Sequence, residues 1–387
     1  MEKDRIMTKI YGLKKLTLAT AFLMLANMSY ADEFKRFSVS AGWMHVMPQG
    51  KANPFNINTA VDPKKQYGIG DISQGSFLGS IPDTATMDDG TSTGNSMLAK
   101  PFLDQIFEKD ATGGNLAQLL EFLVDNDDPN SAVSSAITGT TQVNGIDQWT
   151  AQGTGLEADD VDTLGLMFNY YINDNVSLQL MGGIPPKVDI KGKGEIVANM
   201  TGLATPGEML TPLFPNGLEI GQDIPITNLG NKSKAASVRA WTPAFEAQYQ
   251  FGKTGVNKFR PYVGAGIMYA HFTDIKLDSQ VEKDLVAAGH MVQNILDNQP
   301  GAALDGKESS ATPHVKVKTD DAFAPIISLG ATYDITQNWY GVASVSYAKM
   351  NNKTTIDVID SNTGNRLISG KSKIDPLITY VGVGYRF

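Results

Sequence analysis

Four histidines are the first residues to ask about chemistry: His45, His271, His290 and His314. Their spacing matches neither HExxH nor another zinc-binding pattern, and the chain has no cysteine to supply a thiolate or a nucleophile. No Gly-x-Ser-x-Gly elbow and no Walker loop is present. His271-Phe272-Thr273 is the nearest approach to the serine–histidine pair of lipid-acting barrel enzymes, and it lacks the serine. Gly264-Ala265-Gly266 is a lone GxG, better suited to bending a strand or leaving space beside it than to cradling phosphate. The reading is therefore of a protein that is not an enzyme and needs no cofactor. What remains are polar residues within apolar segments, Glu246, Gln248, Arg260 and Arg386, and methionines in the same phase, Met44, Met181 and Met268.

Those residues belong to eight segments of alternating polarity, which predict strands with one apolar face. They are 34–48, 163–172, 176–184, 241–251, 259–274, 323–334, 339–348 and 377–387. In the first, Phe37, Val39, Ala41 and Trp43 oppose Ser38, Ser40 and Gly42; in the fourth, Phe245, Ala247, Tyr249 and Phe251 oppose Glu246, Gln248 and Gln250. A soluble sandwich also has one apolar face per strand. Here the opposite face is rich in glycine and serine, and aromatics such as Tyr170, Phe251, Trp339 and Tyr385 cluster at strand ends like interfacial girdles. The fold class expected is all-β, an eight-stranded antiparallel up-and-down transmembrane barrel.

The N-terminus supports export. Lys9, Lys14 and Lys15 precede an apolar run, Leu16 to Ala26, and Ser29-Tyr30-Ala31 follows, so residues 1–31 read as a signal peptide, with Met7 an alternative start. Cleavage there removes five of 32 basic and two of 41 acidic residues, leaving a formal charge of −12. That charge opposes nucleic-acid binding. No stretch of 18 apolar residues exists, so a membrane-spanning form must be a closed barrel.

Connections alternate in length. Asn173-Asp174-Asn175, 252–258 and Thr336-Gln337-Asn338 are short turns; 49–162, 187–237, 275–320 and 349–373 are long and are expected outside the cell. Within the first, 97–125 predicts one or two amphipathic helices broken at Gly113-Gly114, with Leu116, Leu119 and Leu120 in the apolar stripe. A second helix is expected over 281–298. These stripes either pack together as a cap or form an apolar entrance. Stretches 83–96 and 126–142 read as flexible connections. In the lumen, Glu246 is expected to pair with Arg260 or Arg386 and plug the base, and Met44, Met181 and Met268 to line the path above it.

The segment Arg260-Pro261-Tyr262-Val263-Gly264-Ala265-Gly266-Ile267-Met268-Tyr269, after Tyr249-Gln250-Phe251-Gly252, resembles the OmpW family. Ala41-Gly42, Val46 and Pro48 fit, as do Asp174-Asn175-Val176 leading to Pro185, Asn338-Trp339-Tyr340 leading to Ala343-Ser344-Val345, and Ile374-Asp375-Pro376 leading to Gly384-Tyr385-Arg386-Phe387. The resemblance covers roughly half the chain after residue 31, and the long loops depart from it. It implies a narrow apolar channel that passes small hydrophobic molecules and releases them sideways into the membrane. One constriction position of the family falls on Met181. A second, aromatic in the family, falls on Ser346, which removes bulk that Met268 or a loop side chain would have to replace. Tyr385 and Phe387, in phase on the lipid face, resemble the signal read by the barrel assembly machinery. Expected partners are outer-membrane lipid and lipopolysaccharide, small hydrophobic solutes and that machinery. Two other functions stay open: a closed structural or adhesion barrel acting as a surface receptor through its loops, and a lipid-modifying enzyme using His271.

Overall fold

The computed structural model describes residues 34–49, 52–88, 95–350, 353–372 and 375–387; the expected leader, 1–31, lies outside them. Eight strands carry the molecule: β1 Phe37–Gln49, β2 Val161–Tyr171, β3 Val176–Gly183, β4 Ala244–Gln250, β5 Phe259–Leu277, β6 Ala322–Asp334, β7 Trp339–Ala348 and β8 Asp375–Arg386. Each pairs antiparallel with its neighbours in sequence, β8 pairs with β1, and β4 pairs with β5, so the sheet closes on itself. All eight alternating segments are these strands, in the expected order. Closure leaves no edge of unpaired backbone groups, the condition for crossing lipid with strands.

The faces divide as the alternation demands. Trp43, Leu164, Leu180, Phe245, Ile267, Ile327, Leu329, Val345 and Val381 point outward and are exposed, whereas Ser40, Asn169, Gln179, Glu246, Gln248, Ser328 and Arg386 point inward and are buried. Water on the outside would leave this apolar band unstable; a hydrocarbon surround stabilises it. Aromatic pairs rim the turn end of the barrel: Phe37–Tyr170 at 5.2 Å, Tyr249–Phe251 at 5.1 Å and Trp339–Tyr385 at 5.1 Å between ring centres. Phe387 lies against both Phe37 and Tyr385.

The loops depart most from expectation. They form a cap with more strand than helix. One cap sheet pairs Leu218–Asn228, Glu195–Thr205, Thr140–Asn144 and Gln66–Gly68; another pairs Pro313–Thr319, Thr354–Asp360, Arg366–Ser372, Phe55–Thr59 and Gln148–Ala151. Strand β5 runs 19 residues, beyond Asp274, and its upper part pairs with Ala236–Trp241, which pairs with Lys187–Lys193. Helix α1, Ala99–Phe107, and a short turn of helix, Leu116–Leu119, fall where the stripe predicted, with Gly113 between them at φ 89°, a left-handed backbone that glycine adopts without strain. Leu116 and Leu119 are exposed, not buried with the stripe: this helix is a single turn and presents too little face to bury both.

Helix α2, Ser279–Leu296, starts at Asp278, whose carboxylate accepts from the Gln280 and Val281 amides. Its stripe Val281, Leu285, Met291 and Ile295 enters one core with Phe55, Ile57 and Val358, while the α1 stripe enters a second core with Phe77, Phe122 and Leu210. The two expected stripes therefore do not pack on each other. Stretch 126–142 is ordered rather than flexible, with a helical turn Ser135–Thr138 and a strand from Thr140; in 83–96, Thr86–Asp88 pairs with Ser96–Leu98, and 89–94 lie outside the described residues. Among the described residues no helix is long and apolar enough to cross a membrane.

Candidate functional site

The barrel interior is layered. At the turn end, Arg260 is 1% exposed and donates to the carbonyls of Asp174, Phe251 and Gly252, with Asp174 Oδ1 at 3.7 Å. Arg386 donates to Asp334 Oδ1 at 2.6 Å and lies 4.4 Å from the centre of the Tyr340 ring. Buried charges persist when paired and hydrogen-bonded in this way. The expected Glu246–arginine pair is not formed. The register sets Glu246 against Gly266, six residues along β5 from Arg260, which at strand rise is about 20 Å. Glu246 accepts instead from Ser328 Oγ at 2.5 Å and Gln248 Nε2 at 3.4 Å.

Between these groups the lumen is filled. Gln248 Nε2 donates to Gln179 Oε1 at 2.8 Å, Gln250 Nε2 to Thr332 Oγ1 at 2.6 Å, Tyr340 Oη to Ser38 Oγ at 2.9 Å and Tyr380 Oη to Ser40 Oγ at 3.1 Å. Glycines admit the tyrosine rings. A Cβ on Gly330 would stand 2.5 Å from Tyr262 Cζ, one on Gly384 2.2 Å from Tyr340 Cζ, and one on Gly382 2.4 Å from Tyr380 Oη. The inward glycines thus hold rings rather than empty space. The residual void among Ser40, Asn169, Gln179 and Tyr262 measures about 10 Å³, room for one water at most.

Toward the loop end the chemistry changes. Met44, Met167, Met181 and Met268 are all buried and share an apolar cluster with Ala244, Ala324, Ile326 and Tyr380. Strand register makes Met167 the partner of Met181, Met181 the partner of Ala244, Ala244 the partner of Met268, and Met268 the partner of Ala324, a layer that crosses five strands. Above it, an apolar cavity of about 110 Å³ lies among Val46, Val188, Ala240, Phe272, Val317 and Met350. A second, of about 60 Å³, shares Leu156, Ala236, Leu277 and Ile356 with the first and reaches the cap core.

The wall beside the methionines is interrupted. The β3–β4 ladder ends at Met181–Ala244, and pairing resumes where Ala240 N donates to the Pro186 carbonyl and Lys187 meets Arg239 in the cap. Pro185, Pro186 and Pro243 fall in the interval and cannot donate to a ladder. A Cβ on Gly182 would meet nothing within 4 Å.

Of the residues expected to line a path, Met44, Met181 and Met268 are brought together, whereas Ser346 sits lower, its hydroxyl 2.7 Å from Ser328 Oγ within the polar layer. Bulk is supplied by Met167 and Tyr380, neither anticipated. Met167 shares the parity of Thr163, Gly165 and Asn169, a signal in the sequence that names it. The histidines are dispersed: His45 binds Asp162 and His271 binds Asp321 outside the barrel, while His290 meets Ser309 and His314 meets Ser361 in the cap. Among the described residues no group of three or more His, Asp or Glu is placed to hold a metal ion.

Comparison with known proteins agrees with this architecture. The family model described as the OmpW family matches residues 301–387. Outer membrane protein W of Vibrio cholerae is 23% identical over 224 residues, 58% of this chain and 73% of that protein. Residues 301–387 thus resemble the OmpW family. Outer membrane protein W of Escherichia coli is 24% identical over 226 residues, 58% of this chain and 72% of its own. The crystal structure of the outer membrane protein OprG from Pseudomonas aeruginosa aligns with a TM-score of 0.43 at 15% identity, covering 91% of this chain and 96% of that one. The barrel is a protein of the outer membrane.

Proposed function

We propose that the protein passes small hydrophobic molecules from the cell exterior into the outer membrane, and releases them sideways between β3 and β4. The observation that carries this reading is the order of the layers. An apolar cap cavity shares Val46, Phe272 and Met350 with the cluster that holds the four methionines, and beneath them lies a hydrogen-bonded polar plug with two paired arginines. An apolar solute gains nothing by entering the plug, since it would have to break buried hydrogen bonds without replacing them. The methionine layer offers flexible thioethers that accommodate varied apolar shapes. At that level the wall lacks its ladder, so the remaining way out is lateral. Lipopolysaccharide around the barrel and the assembly machinery that inserts it are partners proposed on the same reading.

The test is uptake of an aromatic probe by liposomes that hold the purified protein. Faster permeation than in empty liposomes, slowed by Met181→Arg, is the expected result; equal rates with and without the protein would sink the proposal.

One observation favours a second role for the cap. Leu116, Leu119 and Val124 stand exposed on its first loop, an arrangement suited to attachment at another surface. In that case deleting 95–130 abolishes attachment to that surface and leaves permeation unchanged.

A further inference from the structure

The strands Lys187–Lys193 and Ala236–Trp241, just above the interrupted wall, turn a charged face outward. Val188, Ile190, Val238 and Ala240 line the apolar cavity inside, so Lys187 and Arg239, in the alternate phase, lie on the outer side. The register makes these two cations direct partners. Like charges directly opposite each other on a ladder are destabilising. Three of the cations here have a carboxylate each: Arg239 Nε lies 3.0 Å from Asp274 Oδ2, Lys234 Nζ 3.1 Å from Asp189 Oδ1 and Lys191 Nζ 2.7 Å from Asp159 Oδ1. Lys187 is exposed and has no carboxylate partner among the described residues. Arg239 Nη1 donates to the Pro185 carbonyl at 3.2 Å, which fixes the guanidinium beside the gap. Below Arg239 in the same phase come Trp241, Pro243 and Phe245, all exposed. Apolar wall, tryptophan and then cation is the order in which a strand leaves hydrocarbon for the headgroup layer.

We propose that Lys187 and Arg239 hold a phosphate group of a membrane lipid, whose acyl chains lie against the outer wall beside the gap between β3 and β4. A phosphate supplies the negative charge that two facing cations lack; the guanidinium offers it a planar fork of donors and the ammonium a point charge. A lipid fits better than a free anion, because the cations stand directly above an exposed apolar strip, Ile184, Pro243 and Phe245, suited to its chains. The whole chain has a formal charge of −9, so the attraction is local to this patch rather than a property of the molecule. The site rests on the uptake reading only for its consequence: chains held there are the first hydrocarbon that a solute leaving the gap meets. Binding of the lipid itself needs no transport.

Native mass spectrometry of the full chain in detergent micelles tests this. The probes are lipid A bearing its phosphates and the same lipid with the phosphates removed, with EDTA present to exclude divalent bridges to carboxylates. Lys187→Gln should weaken the phosphorylated lipid about fivefold, and Lys187→Gln with Arg239→Gln about 25-fold, while the dephosphorylated lipid stays within about twofold in both. Lys187→Arg, which keeps the charge, should bind as the unaltered protein does. Lys64→Gln with Lys283→Gln removes two exposed cations elsewhere in the cap and should change nothing. Because Lys187 is exposed, its single variant should fold, as checked by β-sheet circular dichroism. Equal affinity for the two lipids, no loss in folded Lys187→Gln, the same loss in the Lys64 and Lys283 control, or displacement of the lipid by an equal concentration of inorganic phosphate overturns the proposal. Phosphate-dependent lipid binding without solute flux in liposomes would remove the uptake reading and leave this site; flux without such binding would do the reverse.

Discussion

Met181 and Met268 are register partners of the same residue, Ala244, and so meet across its methyl group at one level of the lumen. Only a methyl group stands between the two long thioethers, so a larger side chain at Ala244 would press on both. Ala244→Phe should therefore cut permeation of an aromatic probe in liposomes by about tenfold or more. The barrel should still fold, as checked by its β-sheet circular dichroism. Overpacking of this kind typically costs about 1–3 kcal/mol, which a closed barrel can absorb. Unchanged flux in a folded Ala244→Phe protein would place the route elsewhere.

The interval between β3 and β4 gives a separate prediction. Pro185→Val combined with Pro243→Val returns two backbone donors to the unpaired stretch. Each recovered hydrogen bond contributes about 0.5–1.5 kcal/mol. Permeation should slow several-fold as the ladder closes, with resistance to denaturant maintained or raised. Faster permeation in this variant would argue against lateral release.

At the turn end of the barrel the matter is stability rather than flux. Arg386 is 3% exposed and relies on Asp334. Asp334→Ala leaves that guanidinium buried beside Tyr340 without its carboxylate, and breaking such a pair costs about 3–5 kcal/mol. Urea unfolding in micelles should show the loss, and uptake of a hydrophobic probe should be unchanged, because the proposed route leaves the barrel above the plug. A parallel fall in uptake would show that the plug is on the path.

In the cap, Asp360 accepts from the Thr312, Asn362 and Thr363 amides and from Thr363 Oγ1. Those bonds, that from Thr312 first, hold its carboxyl down at about 2 from an ordinary 3.8. A folded-state value below the unfolded one means stabilisation that is complete above pH of about 4 and is lost as pH falls toward about 2. Amide exchange at Thr312, Asn362 and Thr363 should lose protection across that window. In Asp360→Asn the protection should be weaker and should no longer depend on pH there.

How much was readable beforehand differs between barrel and cap. Strand parity is local: a side chain at i and one at i+2 share a face whatever the partner strand does. That is why Met44, Met181 and Met268 were placed inward correctly, and why Met167 was within reach of the same argument. Pairing is not local. The level of Glu246 against Arg260 depends on where β4 and β5 lock, and the register Glu246–Gly266 separates them. The fit of Tyr262 over Gly330 joins β5 to β6, and neither residue announces the other.

The cap shows the same division at greater distance. Helix α2 could be read from its stripe because its contacts repeat within a few turns. The strand Phe55–Thr59 pairs with Arg366–Ser372 from the far end of the chain, and Glu195–Thr205 pairs with Thr140–Asn144. Short, threonine- and glycine-rich segments of this sort alternate too weakly to stand out, and only long-range pairing and the shared core make them strands. The sequence by itself determined eight strands, their two faces and their closure in lipid, since period-two patterning and backbone satisfaction leave no other arrangement. Tertiary structure alone decided which inward residues meet, because register sets their levels: methionines around Ala244 and rings over glycines.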